Sequence, residues 1–86
     1  MFTGSEQTVK LRFENPLVGA VIDRFGKEVM LIPDGDEHFT VTAEIAVSPV
    51  FFGWMASFAG RAKIVHPESV AQEFVSFCKR AIAQYE

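Results

Sequence analysis

The hexapeptide TVKLRF at residues 8–13 alternates strictly between polar and apolar side chains. In an extended chain, successive side chains point to opposite faces, so the apolar members share one face and the polar members share the other. The apolar set is Val9, Leu11 and Phe13, and the polar set is Thr8, Lys10 and Arg12. A period of two residues is typical of a strand with one buried face. The sequence therefore predicts a half-buried β-strand here.

Similar patterns predict six further elements downstream. Asn15-Pro16 is typical of a helix start, with Asn15 as the N-cap acceptor and the proline in the first turn, and Ser48-Pro49 repeats this signal. The predicted elements are a helix ending at Phe25, a strand over 28–32 that Pro33 stops, a strand from His38 to Val47, a helix from Pro49 closed by Gly60, a strand over 62–65, and a helix opened by Pro67. The apolar stripe of this last helix consists of Val70, Phe74, Phe77, Cys78, Ala81, Ile82 and Tyr85.

The order β-α-β-β-α-β, followed by one more helix, predicts an α+β fold of the ferredoxin-like kind. In this arrangement a four-stranded antiparallel sheet has the strand order 4-1-3-2, and both helices of the motif cover one face. The polar segment 1–7 is expected to be a linker, and residues 8–86 a single domain.

Composition limits the classes of function. The chain has a net charge of −3, whereas a dedicated nucleic-acid binder usually has a basic excess. The single Cys78 excludes an internal disulfide and favours a reducing cytoplasm. No apolar run is long enough to span a bilayer, and the first residues do not resemble a signal peptide. We therefore expect a cytoplasmic protein without a membrane partner.

Side chains capable of catalysis are scattered along the sequence. Cys78 lies on the apolar side of the predicted last helix, and neither His38 nor His66 has a partner at metal-ligand spacing. The acidic segment 34–37 lacks the length and the closing glutamate of a calcium loop. The sequence therefore predicts no enzyme, no metal site and no cofactor.

A basic strip is predicted on the sheet face that the helices leave open. Lys10 and Arg12 lie on the polar face of the first strand, with Lys63 expected beside them and Thr40 and Thr42 on the other flank. Other split βαβ proteins bind single-stranded nucleic acid on this face, but the central positions here lack stacking aromatic residues. The alternatives are a solvated face and a face that pairs with another subunit.

The adjacent Phe51 and Phe52 are about 100° apart on the predicted second helix. Because the faces of a helix cannot all point at the sheet, the two rings cannot both be central in the core. One of them is therefore expected to reach a partner, and the interface candidates are Phe51, Phe52 and Thr42. Trp54 is predicted to be an anchor in the core or between helices.

The succession of motifs resembles a known family. An Asp34-Gly35 turn follows the first helix and strand, Trp54 lies in the second helix, and Pro67-Glu68 opens a helix that ends near Tyr85. This order resembles the WCX-type C-terminal extension of bacterial WYL-domain helix-turn-helix (DeoR-like) transcriptional regulators, over residues 8–86.

The resemblance implies a non-catalytic module for dimerisation and effector sensing, joined to its own WYL and helix-turn-helix domains in a longer protein. DNA would be bound by the helix-turn-helix domain, and the regulator would be a homo-oligomer. Some members respond to single-stranded nucleic acid or nucleotide-like effectors, which makes Lys10, Arg12 and Lys63 candidates for effector contact. The alternatives are a stand-alone small-molecule-binding or dimer-forming ferredoxin-like protein and a dimeric α/β-barrel enzyme with His38 or His66 in its pocket.

Overall fold

A computed structural model of the protein describes residues 5–86. In chain order, its elements are β1 Ser5–Glu14, a 3-10 turn Asn15–Leu17, α1 Val18–Phe25, β2 Leu31–Asp34, β3 His38–Val47, α2 Pro49–Ala56, β4 Ala62–His66 and α3 Glu68–Ala83. All three strand pairs are antiparallel, and the strand order is β2-β3-β1-β4. The predicted ferredoxin-like sheet with an additional C-terminal helix is confirmed.

The core lies on the face of the sheet that the helices cover. β1 contributes Val9, Leu11 and Phe13, all fully buried, and β3 contributes Phe39, Val41, Ile45 and Val47. Val9, Leu11 and Phe13 therefore lie on the buried face of β1, as the alternation of TVKLRF predicts. In the described part of the chain, no helix has the length and apolarity needed to cross a membrane.

β1 begins earlier than the sequence predicts. Ser5 is opposite Val47 and Gln7 is opposite Ile45, so part of the segment expected to be linker is strand. The pattern did not show this because the inward-facing position is occupied by Gln7, a polar residue that is half-buried. Residues 1–4 of the predicted linker lie outside the described residues.

The start of α1 also differs from the prediction. Asn15 does not cap the helix: its Nδ2 donates a hydrogen bond to the carbonyl oxygen of Asp36 at 2.9 Å. The backbone N–H of Asn15 donates to the carbonyl oxygen of Glu37 at 2.9 Å. Asn15 is itself the first residue of the 3-10 turn that precedes α1, and no side chain caps either the turn or α1. α1 ends at Phe25, as predicted, and Gly26 follows it with a φ of 93°.

β2 was predicted over 28–32, with Pro33 as its end, but it spans Leu31–Asp34 and includes Pro33 opposite Phe39. The physical reason is the position of β2 at the edge of the sheet, where one side of the strand has no neighbour that requires a backbone donor. The extension by two residues brings Asp34 onto the sheet opposite His38.

Phe51 and Phe52 are both buried, with 1% and 6% of their surface exposed, so the expectation that only one is central in the core is wrong. The ring of Phe52 packs against those of Phe74 and Phe77 in α3, at centroid distances of 5.7 and 5.6 Å. α2 therefore contacts both the sheet and α3, and it needs two apolar sides. The predicted cap is confirmed, since Ser48 Oγ accepts a hydrogen bond from the N–H of Phe51.

Trp54 is the predicted core anchor. Its ring lies 5.9 Å from Phe13, 5.6 Å from Phe25 and 4.9 Å from Phe58, each in an edge-on arrangement. The guanidinium carbon of Arg24 lies 5.3 Å from the centroid of the indole ring. Trp54 thus joins β1, α1 and α2 on the helical side of the sheet.

α3 extends beyond the core. Val70 is fully buried and Phe74 and Phe77 pack against the core, but Ile82 is 52% exposed and Tyr85 is 91% exposed. The predicted stripe is therefore covered only over its first part. Sixteen helical residues span about 24 Å at 1.5 Å per residue, and the last turns of this length lie outside the core.

Candidate functional site

The open face of the sheet carries the candidate residues. Arg12 is opposite Thr40 on one side and opposite Lys63 on the other, and Lys10 is opposite Thr42. The structure therefore brings Lys10, Arg12 and Lys63 together on one face, flanked by the two threonines, as the sequence predicts. Lys10, Lys63 and Thr42 are exposed, and neither lysine forms an ion pair with any of residues 5–86.

Arg12 differs from the two lysines because it already has partners. Its Nε lies 3.1 Å from Oδ2 of Asp34, and its Nη2 lies 3.4 Å from Nδ1 of His38. The contact with Asp34 is a charge contact rather than an aligned hydrogen bond, and Nε has no hydrogen-bond partner among the described residues. Because the predicted β2 ended before Asp34, the sequence did not place this carboxylate beside Arg12.

A second arginine joins the same region. Nε of Arg61 donates a hydrogen bond to Oε1 of Glu14 at 3.0 Å, at the end of β1. The N–H of Glu14 in turn donates to the carbonyl oxygen of Arg61 at 3.2 Å. Arg61 lies in a bend directly before β4 and was not among the predicted site residues. Arg61 lies near Glu14 because β1 and β4 are antiparallel and Phe13 is opposite Ala62. Knowledge of this strand register would have been enough to place Arg61 beside β1.

The two flanking threonines have different surroundings. Thr42 is exposed, whereas Thr40 is 7% exposed, and its Oγ1 lies 3.5 Å from the carbonyl oxygen of Ile32. Thr40 is thus part of the contact between β2 and β3, and Thr42 lies on the open face beyond β2. Of the two, Thr42 is available for contact with another molecule.

The three interface candidates do not form one surface. Thr42 lies on the open face, while Phe51 and Phe52 belong to α2 on the opposite side of the sheet and are buried. Little of either ring is left for a partner to contact. A subunit interface at Thr42 stays a prediction.

The other reactive side chains lie apart. His38 contacts Arg12, His66 is opposite Lys10 at the end of β4, and Cys78 is half-buried on α3. Within residues 5–86, no group of three or more His, Cys, Asp or Glu side chains is placed to hold a metal ion.

Comparison with known families agrees with this architecture. A family model of the WCX domain matches residues 5–82, from the first residue of β1 to the last turn of α3. The chain belongs to the WCX domain family. No curated protein matches it, and no solved structure matches it. The match contains all four strands of this WCX domain, so the open face and its basic strip lie entirely within the matched range.

Proposed function

We propose that this WCX domain is the non-catalytic effector-sensing and subunit-joining module of a WYL-type bacterial transcriptional regulator. Its partners would be its own WYL and helix-turn-helix domains and a second copy of the chain, with DNA bound through the helix-turn-helix domain. A regulator of this kind acts in the cytoplasm, where the DNA is.

The open face carries the proposal. One face of the sheet buries the whole apolar core. The other face presents Lys10, which lies two residues before Arg12 on β1, and Lys63, which is opposite Arg12 on β4. Neither lysine has an ion-pair partner among residues 5–86. Exposed lysines gain little for the stability of a fold, since surface charges contribute about 0–1 kcal/mol even when paired. A local basic strip on a chain with a net charge of −3 is therefore better suited to contact with another molecule than to folding.

A population shift would couple this face to the regulator. An effector that binds better to one arrangement of the subunits favours that arrangement by its difference in affinity. The spacing of the distant DNA-binding domains then changes with it, and occupied DNA favours the effector reciprocally. The WCX domain needs no internal rearrangement for this, only a different contact across its open face.

The test is the solution mass of the WCX domain, measured by light scattering over a concentration series, for the natural chain and for the double variant Lys10→Glu, Lys63→Glu. We expect the natural domain to self-associate and the variant to remain monomeric, because the variant reverses two charges on the open face. Lys27→Glu with Lys79→Glu is the matched control, since both lysines are exposed outside this face. A monomeric natural domain, or equal loss in the control, contradicts a subunit-joining role.

A further inference from the structure

The open face of the sheet extends well beyond the basic strip. β1 and β3 each have ten residues and pair along their whole length, whereas β4 and β2 each pair with only four residues of them. Residues 5–9 and 43–47 therefore form a two-stranded ribbon that neither edge strand flanks. On its open face this ribbon presents the exposed carboxylates of Glu6 and Glu44, which form an acidic end of the face.

Most of the charges on the open face are not matched within the domain. Two ion pairs are internal, since Arg12 Nε lies 3.1 Å from Asp34 Oδ2. The other pair joins Arg61 to Glu14 at 3.0 Å. The remaining strand charges of this face belong to four side chains that form no ion pair with any of residues 5–86, namely Lys10, Lys63, Glu6 and Glu44. With the histidines neutral, two positive and two negative charges are left, so the face is balanced as a whole.

The positive and the negative unmatched charges lie at different levels along the strands. Lys63 is opposite Arg12, so the two lysines lie at the levels of residues 10 and 12 of β1. Glu44 is opposite Thr8, so the two glutamates lie at the levels of residues 6 and 8. The midpoints of the two groups are thus separated by four residues, or about 14 Å at about 3.4 Å per residue. The open face therefore has a positive end and a negative end.

We propose that the open face binds the same face of a second copy of the chain, with the strands of the two sheets running in opposite directions. A two-fold axis between the sheets, crossing β1 at the level of residue 9, keeps each strand over its equivalent and reverses its direction. Levels 6 and 8 of one copy then face levels 12 and 10 of the other. The acidic end of each copy therefore lies over the basic strip of its partner, and the contact is made twice.

The opposite orientation is disfavoured by the same charges. A two-fold axis along the strands would place equal levels over one another, so that lysines would face lysines and glutamates would face glutamates. Like charges brought together at an interface weaken binding and exclude the arrangement that does so. The charge pattern thus selects one of the two ways in which these faces can stack in line.

The balance of charges also favours a second copy over a nucleic acid on this face. A polyanion attracted by the basic strip would be repelled by Glu6 and Glu44, whereas a second copy satisfies both ends at once. The side chains among the charged groups are small, since Thr8, Thr42 and Ala46 are exposed at these levels. Small side chains allow two sheets to approach to the usual distance of about 10 Å.

The size of the face predicts a weak dimer. Ten residues of β1 extend about 34 Å, and two strands are about 10 Å wide, so each copy buries a few hundred Å². This is below the roughly 800 Å² per partner of a stable complex, and we expect a dissociation constant above about 1 μM. In a longer regulator, contacts between other domains would raise the effective concentration of the two faces. This inference rests on the proposed function, because it specifies how the second copy is bound.

The test uses two double variants of the WCX domain with opposite changes of charge. The acidic-face variant is Lys10→Glu with Lys63→Glu, and the basic-face variant is Glu6→Lys with Glu44→Lys. Each variant alone is expected to dimerise at least about ten-fold more weakly than the natural domain, because like charges then meet across the interface. An equimolar mixture of the two is expected to associate at least as tightly as the natural domain. Sedimentation velocity over a concentration series at low ionic strength measures the masses, and circular dichroism verifies the fold.

Glu28→Lys with Glu73→Lys is the matched control. Both glutamates are exposed, one before β2 and the other on α3, so neither belongs to the open face. This control has the same net charge as the basic-face variant. We expect it to dimerise like the natural domain and to associate with the acidic-face variant at least about ten-fold more weakly than the basic-face variant does. Equal association in both mixtures would mean that net charge rather than the open face controls binding, and it would overturn the inference.

The outcomes distinguish this inference from the proposed function. If the natural domain self-associates and the basic-face variant does so equally well, the reversed arrangement is wrong and the subunit-joining role stands. Two face variants that stay monomeric when mixed, beside a natural domain that dimerises, have the same meaning. A natural domain that is monomeric at every concentration contradicts the subunit-joining role itself, and this inference with it.

Discussion

Phe52 shows how a third helix buries a side chain that would otherwise be expected to be exposed. Beside a sheet covered by two helices, this ring would point away from the core. In the structure it is 6% exposed and within 6 Å of the rings of Phe51, Phe74 and Phe77, measured between centroids at 5.7, 5.7 and 5.6 Å. Its surface is therefore buried in part by two rings of α3 that lie more than twenty residues away along the chain.

Replacing this ring tests that burial. We expect Phe52→Ala to lower the free energy of unfolding by about 3–5 kcal/mol, because the change removes buried apolar surface and leaves a cavity between α2 and α3. Urea unfolding followed by circular dichroism measures the loss. Val50→Ala, on the exposed side of the same helix, is expected to change it by less than about 0.5 kcal/mol. A loss below about 1 kcal/mol for Phe52→Ala would be incompatible with this packing.

At the scale of the element, α3 has two parts with different roles. Its first half fixes α2 through Phe74 and Phe77, and Val70 enters the core. From Lys79 onward every residue is exposed, including the apolar Ile82 and Tyr85. The two parts should therefore contribute unequally to stability.

Removal of residues 81–86 is expected to lower the free energy of unfolding by less than about 1 kcal/mol, since all six residues are exposed. Phe74→Ala is expected to lower it by more than the truncation does, because that ring packs on the core. Both losses are calculated from the midpoints of urea unfolding curves, with the same dependence of the unfolding free energy on urea concentration for all variants. The opposite order would mean that the last turns of α3 pack on the domain.

Elements whose signal is local could be predicted from the sequence. β3 was predicted with the bounds that it has, because its alternation runs uninterrupted from Phe39 to Val47. β2 and the role of Asn15 could not be predicted in the same way. Pro33 is tolerated in β2 because this strand lies at the edge of the sheet. Asn15 donates a side-chain hydrogen bond to the carbonyl oxygen of Asp36. Both facts depend on tertiary structure.

The same distinction between local signals and tertiary structure applies to the candidate site. Lys10, Arg12 and Lys63 follow from strand alternation and strand order together, so they could be predicted. Arg61 could not, because it lies outside any periodic pattern and its place beside Glu14 depends on the exact β1–β4 register. The partners of Arg12 were missed for a related reason, since Asp34 belongs to a strand end that the pattern did not include.

At the scale of the whole molecule, the layers are joined closely enough to unfold together. α3 contacts both α2 and β4, and Phe13 of the central strand contacts Trp54 and Phe58 on the helical side. Small domains with one core usually unfold in a single cooperative step.

We expect urea unfolding curves from far-ultraviolet and near-ultraviolet circular dichroism to coincide, with α3 losing its structure together with the sheet. The same experiment on the variant lacking residues 81–86 serves as the control, since it retains Val70, Phe74 and Phe77, through which α3 packs on the core. Separate midpoints for the two signals would show that α3 unfolds independently of the sheet.

The location of Trp54 has a practical consequence. The indole is the single tryptophan of the chain, and it is enclosed by Phe13, Phe25 and Phe58 on the side of the sheet opposite the basic strip. Its fluorescence emission should therefore respond when the core opens, and it should change little when a molecule contacts the basic strip. The protein thus contains a natural optical reporter of its folded state.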